Sequence, residues 1–275
     1  MKLAIAGKGG VGKTTLAGLL ARSYAEDGNR VVAIDADPDA NLASSLGISP
    51  QQVANIEPIS RMKELAKERT GASEGYGSLF ILNPKVDDLP ERFFVEHKGV
   101  LLLVMGTVDQ GGSGCVCPEH TLVRALMKHL LLDRNDVVIL DMEAGIEHLG
   151  RATAESVDVL IVMVEAGQRS LQTAAHIEKL AAEIGIPRVA YVASKIQSKA
   201  DREFIERALP KKQLLGTISM HEQIREADRL NLSPYDIGGN FLEEVVGIKR
   251  RVQEFIVEQA GISQEKASEC RQENS

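Results

Sequence analysis

Apolar residues recur along the chain in short unbroken runs rather than in strict alternation: Leu3–Ala6, Val31–Ile34, Leu79–Leu82, Val100–Met105, Val137–Leu140, Val157–Val164, Val189–Val192 and Leu214–Ile218. Runs of this length predict strands that are buried on both faces, as in a parallel sheet. Helix-length stretches separate several of them, at Thr14–Asp27, Pro118–Leu132, Ser170–Ile184 and Ala200–Leu209. Pro118 and Ser170 stand at N-terminal positions, and Gly28 and Gly185 follow helix ends as C′ glycines do. The alternation predicts an α/β fold, a doubly wound and mostly parallel sheet of about seven to eight strands flanked by helices. The stretch from Ile48 to Phe94 fits this rhythm least; with a helix at Ser60–Arg69, it reads as an insertion on the same domain. A last helix covers Phe241–Gln259. Residues 1–262 then form one domain, and 263–275 a polar C-terminal tail that frays.

Composition narrows the function classes. The 275 residues are 44% apolar and 26% charged, with a net charge of −7. Such an acidic chain lacks the pervasive positive field of a non-specific nucleic-acid binder. No apolar run approaches the ~18 residues of a membrane span, and Met1–Ala6 is too short for a signal segment before the glycines begin. The expectation is a cytoplasmic protein with neither a nucleic-acid nor a membrane partner. Its 3 cysteines are too few for a disulfide framework, so their thiols are expected reduced.

The first candidate chemistry lies directly after the first strand. Gly7-Lys8-Gly9-Gly10-Val11-Gly12-Lys13-Thr14 matches G-x-x-x-x-G-K-[ST] between a strand and a helix, the setting in which backbone N–H groups and a helix N-terminus cradle phosphates. In this P-loop reading Gly9, Gly10, Val11, Gly12, Lys13, Thr14 and Thr15 bind nucleotide. Lys13 reaches the β- and γ-phosphates, and the Thr14 hydroxyl ligates Mg²⁺. A second lysine, Lys8, is not required by the general motif. With it, Lys8–Thr15 resembles the deviant Walker A loop of the MinD/ParA/Mrp/nitrogenase-iron-protein group of P-loop NTPases. The resemblance implies that Lys8 contacts the phosphates of the partner subunit in an ATP-bridged dimer. A second cation there stabilises charge on the transferring phosphoryl group, as an arginine finger does.

Two acidic segments stand at strand ends, where open α/β sheets bind ligands. Asp35-Ala36-Asp37-Pro38-Asp39-Ala40-Asn41 resembles the group's switch I, which maps the water-orienting aspartate onto Asp37. Asp141-Met142-Glu143-Ala144-Gly145 supplies a Walker B carboxylate, Asp141, for Mg²⁺. Alone, either acid would read as a cap or turn residue; behind a phosphate loop, function is favoured. The group's base-reading Asn-Lys pair corresponds to Ser194-Lys195, and serine lacks the paired donor and acceptor of an amide.

The second candidate chemistry is Gly111-Gly112-Ser113-Gly114-Cys115-Val116-Cys117-Pro118, a glycine-rich loop that delivers two thiols to a helix start. A helix N-terminus favours thiolate. Incidental loop cysteines, a strained redox pair and a metal site compete, with metal binding favoured. Cys115 and Cys117 provide only half of a four-thiolate set, which a two-fold dimer would complete. Soft thiolates select Zn, Cu(I), iron–sulfur clusters or Ni. This loop, the segment Asp141–Arg151 and Leu82-Asn83-Pro84-Lys85-Val86 together resemble the CooC family, from residue 1 to about Gln259. The resemblance implies a nickel-handling ATPase that matures carbon monoxide dehydrogenase or acetyl-CoA synthase, with ATP, Mg²⁺ and Ni²⁺ (or Zn²⁺) as ligands and a nucleotide-dependent homodimer as its working form. His120, His148 and Cys270 read as ordinary residues. Two rivals are an iron–sulfur reductase like the nitrogenase iron protein, which draws its cysteines from two loops, and a ParA/MinD-type positioning ATPase. The latter needs more basic surface than Lys249-Arg250-Arg251 offers.

Overall fold

The computed structural model describes residues 1–37, 40–72, 80–106, 117–132, 136–143, 146 and 151–272, without the side chains of 151–152, 260 and 262–272. The chain runs β1 (Lys2–Gly7), α1 (Lys13–Glu26), β2 (Val31–Asp35), α2 (Leu42–Leu46), α3 (Pro50–Val53), a 3₁₀ turn (Ile59–Arg61), α4 (Lys63–Thr70) and α5 (Leu89–Phe93). It continues with β3 (Val95–His97), β4 (Val100–Val104), α6 (Pro118–Leu132), β5 (Val137–Asp141), α7 (Arg151–Ala154), β6 (Val159–Val164) and α8 (Gln168–Ile184). The last elements are β7 (Val189–Ile196), α9 (Lys199–Ala208), β8 (Leu214–Ser219), α10 (Glu222–Leu230), α11 (Pro234–Ile237) and α12 (Phe241–Gln272).

Among the described residues the strands form one eight-stranded sheet in the order β3-β4-β2-β5-β1-β6-β7-β8. Every pairing is parallel except β3 with β4. β1 shows why continuous apolar runs mark such strands. Leu3 and Ile5 face the core layer under α1 and α12, whereas Ala4 and Ala6 face the layer under α6 and α8. Both faces are buried, so no polar alternation survives. The chain reverses direction around β1, and the carboxyl ends of β1, β2 and β5 open on one edge of the sheet.

Three expectations are corrected. Phe80–Leu82 forms no strand, and Ile81 and Leu82 are more than half exposed; Leu79 lies outside the described residues. Apolar content alone does not make a strand where no neighbouring strand offers hydrogen bonds. The sheet instead gains β3, three residues at an edge, too short and too polar to stand out in the sequence. The final helix does not end at Gln259 but continues to Gln272 through the segment expected to fray. Ser170 lies inside α8, which starts at Gln168 after an N-cap Gly167. The described residues of 48–94 add only short helices and turns, α4 and α5 packing on α6.

Candidate functional site

The phosphate loop occupies the turn between β1 and α1. A Cβ on Gly7 would stand 2.7 Å from the Met163 carbonyl oxygen, so the loop leaves β1 pressed against β6. Gly10 and Gly12 take φ values of +73° and +96°, left-handed backbone that favours glycine. Gly12 caps a 14-residue helix, whose unpaired N–H groups therefore begin at the loop. Val11 and Lys13 are buried, while Gly9 and Gly10 are exposed.

β7 holds this loop in place. The Ser194 hydroxyl, itself buried, donates to the Val11 carbonyl at 2.7 Å, and Lys195 Nζ donates to the Gly10 carbonyl. The pair that the sequence aligns with base reading thus supports the back of the phosphate loop.

Asp35 and Asp141 are direct neighbours in the register of β2 and β5, and neither is exposed to solvent. Among the described residues no group other than the neighbouring Thr14 hydroxyl approaches either Asp141 carboxylate oxygen as a donor, and neither oxygen is held in a regular hydrogen bond. Burial pushes its carboxyl up to about 6, against the pull of the nearby Thr14 hydroxyl and Lys13 ammonium. An orphaned buried carboxylate beside a threonine hydroxyl is a hard oxygen donor set, which fits Mg²⁺. Asp35 organises the backbone around Asp37. Its Oδ1 accepts from the Asp37 N–H at 3.2 Å and its Oδ2 from the Leu42 N–H at 2.8 Å, so it ties down both ends of the segment carrying Asp37. Burial, and then the charge of Asp141, raise its carboxyl to about 7. The signal was present in the sequence as a second acid two positions before Asp37.

Lys13, Thr14, Thr15 and Asp37 line one cleft of about 680 Å³, together with Asn41 and Glu143. Its other end is walled by Ile224, Arg225 and Asp228 of α10 and by Asn231 and Leu232 beyond it. The cleft therefore has a phosphate-binding end and a mixed apolar and polar end, the two environments that a nucleotide presents. Lys8 does not stand among the cleft residues; its ammonium pairs with Glu165 at 3.0 Å.

Residues 2–234 match the CobQ/CobB/MinD/ParA nucleotide-binding domain. The chain belongs to that family. Within this MinD/ParA group it is a CooC-type member: it is 54% identical to the carbon monoxide dehydrogenase accessory protein CooC of Rhodospirillum rubrum, over 86% of this chain and 90% of that one. It is also 39% identical to an uncharacterized ATP-binding protein of Methanocaldococcus jannaschii, over 89% of this chain and 95% of that one. Among solved structures, the fold is shared with the ParA family ATPase of Chlorobium tepidum at a TM-score of 0.66 and 17% identity, covering 92% of this chain and 97% of that one. The MinD of an Aquifex aeolicus MinC:MinD complex gives 0.65 and 19%, covering 92% and 95%. These neighbours agree with the doubly wound architecture read from the sequence.

Cys117 stands immediately before α6 in this MinD/ParA-type domain. Its Sγ accepts from the His120 N–H at 3.4 Å and its carbonyl from the Thr121 N–H at 3.0 Å. A backbone N–H of the first turn of α6 thus points at the Cys117 sulfur. Cys115 and His148 lie outside the described residues, as does the side chain of Cys270. The basic run on α12 is largely committed within the domain: Lys249 is buried against the Ser23 carbonyl and Asp27, and Arg251 pairs with Glu254 and Glu258. No helix among the described residues is long and apolar enough to cross a membrane.

Proposed function

We propose that the chain is an ATP-hydrolysing metallochaperone that carries nickel to carbon monoxide dehydrogenase or acetyl-CoA synthase. One observation carries this reading: a two-lysine phosphate loop and a Cys-x-Cys at a helix start occur in one chain that is 54% identical to a carbon monoxide dehydrogenase accessory protein. Nickel itself comes from the CooC resemblance, since thiolates would also take zinc.

In this reading ATP lies in the cleft with its phosphates on residues Gly9–Thr15, and Asp37 orients the attacking water. Mg²⁺, when bound to Asp141 and Thr14, neutralises charge that develops on the phosphates. Each Lys8 reaches the nucleotide of the other subunit. Closure of the two subunits brings both Cys115/Cys117 pairs into a four-thiolate site for the cargo Ni²⁺, and hydrolysis reopens it. The segments after Asp37 and Asp141 are the switch elements, since γ-phosphate contacts order such loops.

Equilibrium dialysis against Ni²⁺ and Zn²⁺, with and without Mg²⁺ and a non-hydrolysable ATP analogue, tests the proposal. The nucleotide-bound wild type is expected to hold one Ni²⁺ per dimer, more tightly as pH rises because thiolate ligation releases protons. The Cys115→Ser/Cys117→Ser double variant is expected to lose that binding while it still binds ATP. Stoichiometric Ni²⁺ on the double variant's dimer would sink the reading.

A further inference from the structure

Lys8, the residue on which the two-subunit reading depends, is already paired within its own subunit. Its ammonium lies 3.0 Å from Glu165 Oε1. β1 and β6 are adjacent, with Gly7 opposite Met163, so the chain emerging from β1 meets the chain emerging from β6 where Lys8 and Glu165 stand. Glu165 is fixed from its own side as well: its N–H donates to Ser170 Oγ at 3.0 Å, and Ser170 is buried in α8. The carboxylate is thus presented by rigid elements, a strand end and the first turn of a helix. The two side chains are about a third exposed, at 39% and 32%.

That exposure decides what the pair can do. A solvent-screened ion pair contributes little, and its loss changes an equilibrium by roughly 1.5- to 5-fold. This is too weak to fix the fold and weak enough to be exchanged for a triphosphate, which carries more charge. A lysine ammonium held on Glu165 is withheld from the phosphate of a second chain, so forming one contact means giving up the other.

We propose that Glu165 is a positioning residue that holds Lys8 inside the single subunit and hands it over as two subunits close on nucleotide. This rests on the proposed nucleotide-bridged dimer. Glu165 thereby sets the protein concentration at which ATP drives dimerisation, and it keeps the lysine from acting before a partner is present. Because a two-fold dimer breaks two such pairs, the effect is squared, to about 2- to 25-fold in the dimer dissociation constant.

Sedimentation of the full chain, with Mg²⁺ and a non-hydrolysable ATP analogue, reads this directly. Glu165→Gln is expected to dimerise at a 2- to 25-fold lower concentration than wild type, and Glu165→Asp, which keeps the charge, at close to the wild-type concentration. The gap between Glu165→Gln and wild type should close at about 1 M salt, where the screening length is about 3 Å; a purely structural change would persist there. A wild-type dimer with an unchanged or raised midpoint in Glu165→Gln overturns the role of Glu165 alone. Absence of any nucleotide-dependent dimer in both proteins overturns the two-subunit reading beneath it.

Discussion

Asp141, the acid proposed to hold Mg²⁺, is fully buried. Among the described residues neither of its oxygens is held in a regular hydrogen bond, and burial raises its carboxyl to about 6. Asp141→Asn keeps the shape and removes the charge, so two opposite effects are expected. ATP hydrolysis should fall by more than ~100-fold, as expected when a ligand to the catalytic cation is lost. The nucleotide-free protein should melt a few degrees higher, because a neutral amide replaces a charge that the site disfavours. Steady-state hydrolysis and a thermal melt of the same preparation check both; a variant that is less stable and still active would contradict the role of Asp141. This acid was legible in the sequence because it ends an apolar run. Asp35 ends an apolar run in the same way, but its contacts were not legible, since only the fold places it beside Asp141 and under the Asp37 backbone. Ser194 illustrates the same limit: its alignment with a base-reading position was visible, but its hydrogen bond to Val11, 183 residues away, was not.

At the level of elements, α2 docks on α1 through a glycine in the middle of a helix. A Cβ on Gly18 would fall 2.3 Å from Ser45 Oγ, which itself donates to the Thr14 carbonyl at 3.1 Å. Gly18 thus lets the short helix after Asp37 lie against the phosphate-loop helix. Alanine is otherwise the better helix former by about 1 kcal/mol, yet Gly18→Ala should destabilise, since overpacking costs about 1–3 kcal/mol. ATP affinity should weaken with it, because Ser45 is pushed off Thr14. Calorimetry and nucleotide titration measure the two effects, and adding Ser45→Ala should restore much of the stability without restoring the bond to Thr14. A mid-helix glycine is visible in the sequence, but which element it admits is not.

For the molecule as a whole, the buried acids set the direction of its pH response. Asp35 and Asp141 have folded-state values raised to about 7 and about 6. Their contribution therefore favours the fold fully below about pH 4, the unfolded value, and is lost as pH rises through about 6 to 7. Exposed carboxylates held low by a partner, such as Asp88 beside Arg69, act oppositely below about pH 4, and the His97 imidazole and Met1 amino group, both pushed down by burial, oppose the two acids nearer neutrality. The nucleotide-free chain is expected to lose thermal stability from pH 5 to pH 8. Asp141→Asn should flatten that slope, and Mg²⁺ with nucleotide should raise the melting point most at the alkaline end. Melts across the range, with and without Mg²⁺-nucleotide, check the sign. A slope rising from pH 5 to pH 8 in the nucleotide-free protein would refute it.

The sequence by itself determined the parallel body of the sheet, the phosphate loop and the acids at strand ends, because each depends on a local pattern. Double-sided burial leaves continuous apolar runs, left-handed turns demand glycine, and polar residues mark the points where strands leave the core. The tertiary structure alone decided what depends on neighbours distant in the chain. Phe80–Leu82 found no partner strand and stayed outside the sheet. Three half-polar residues at Val95–His97 became a strand because β4 offered an edge. Ser194 turned to the back of the phosphate loop, and Lys8 met Glu165 across the β1–β6 boundary. Periodicity records which side of an element is buried; it does not record the opposing residue, and pairing energies depend on that residue.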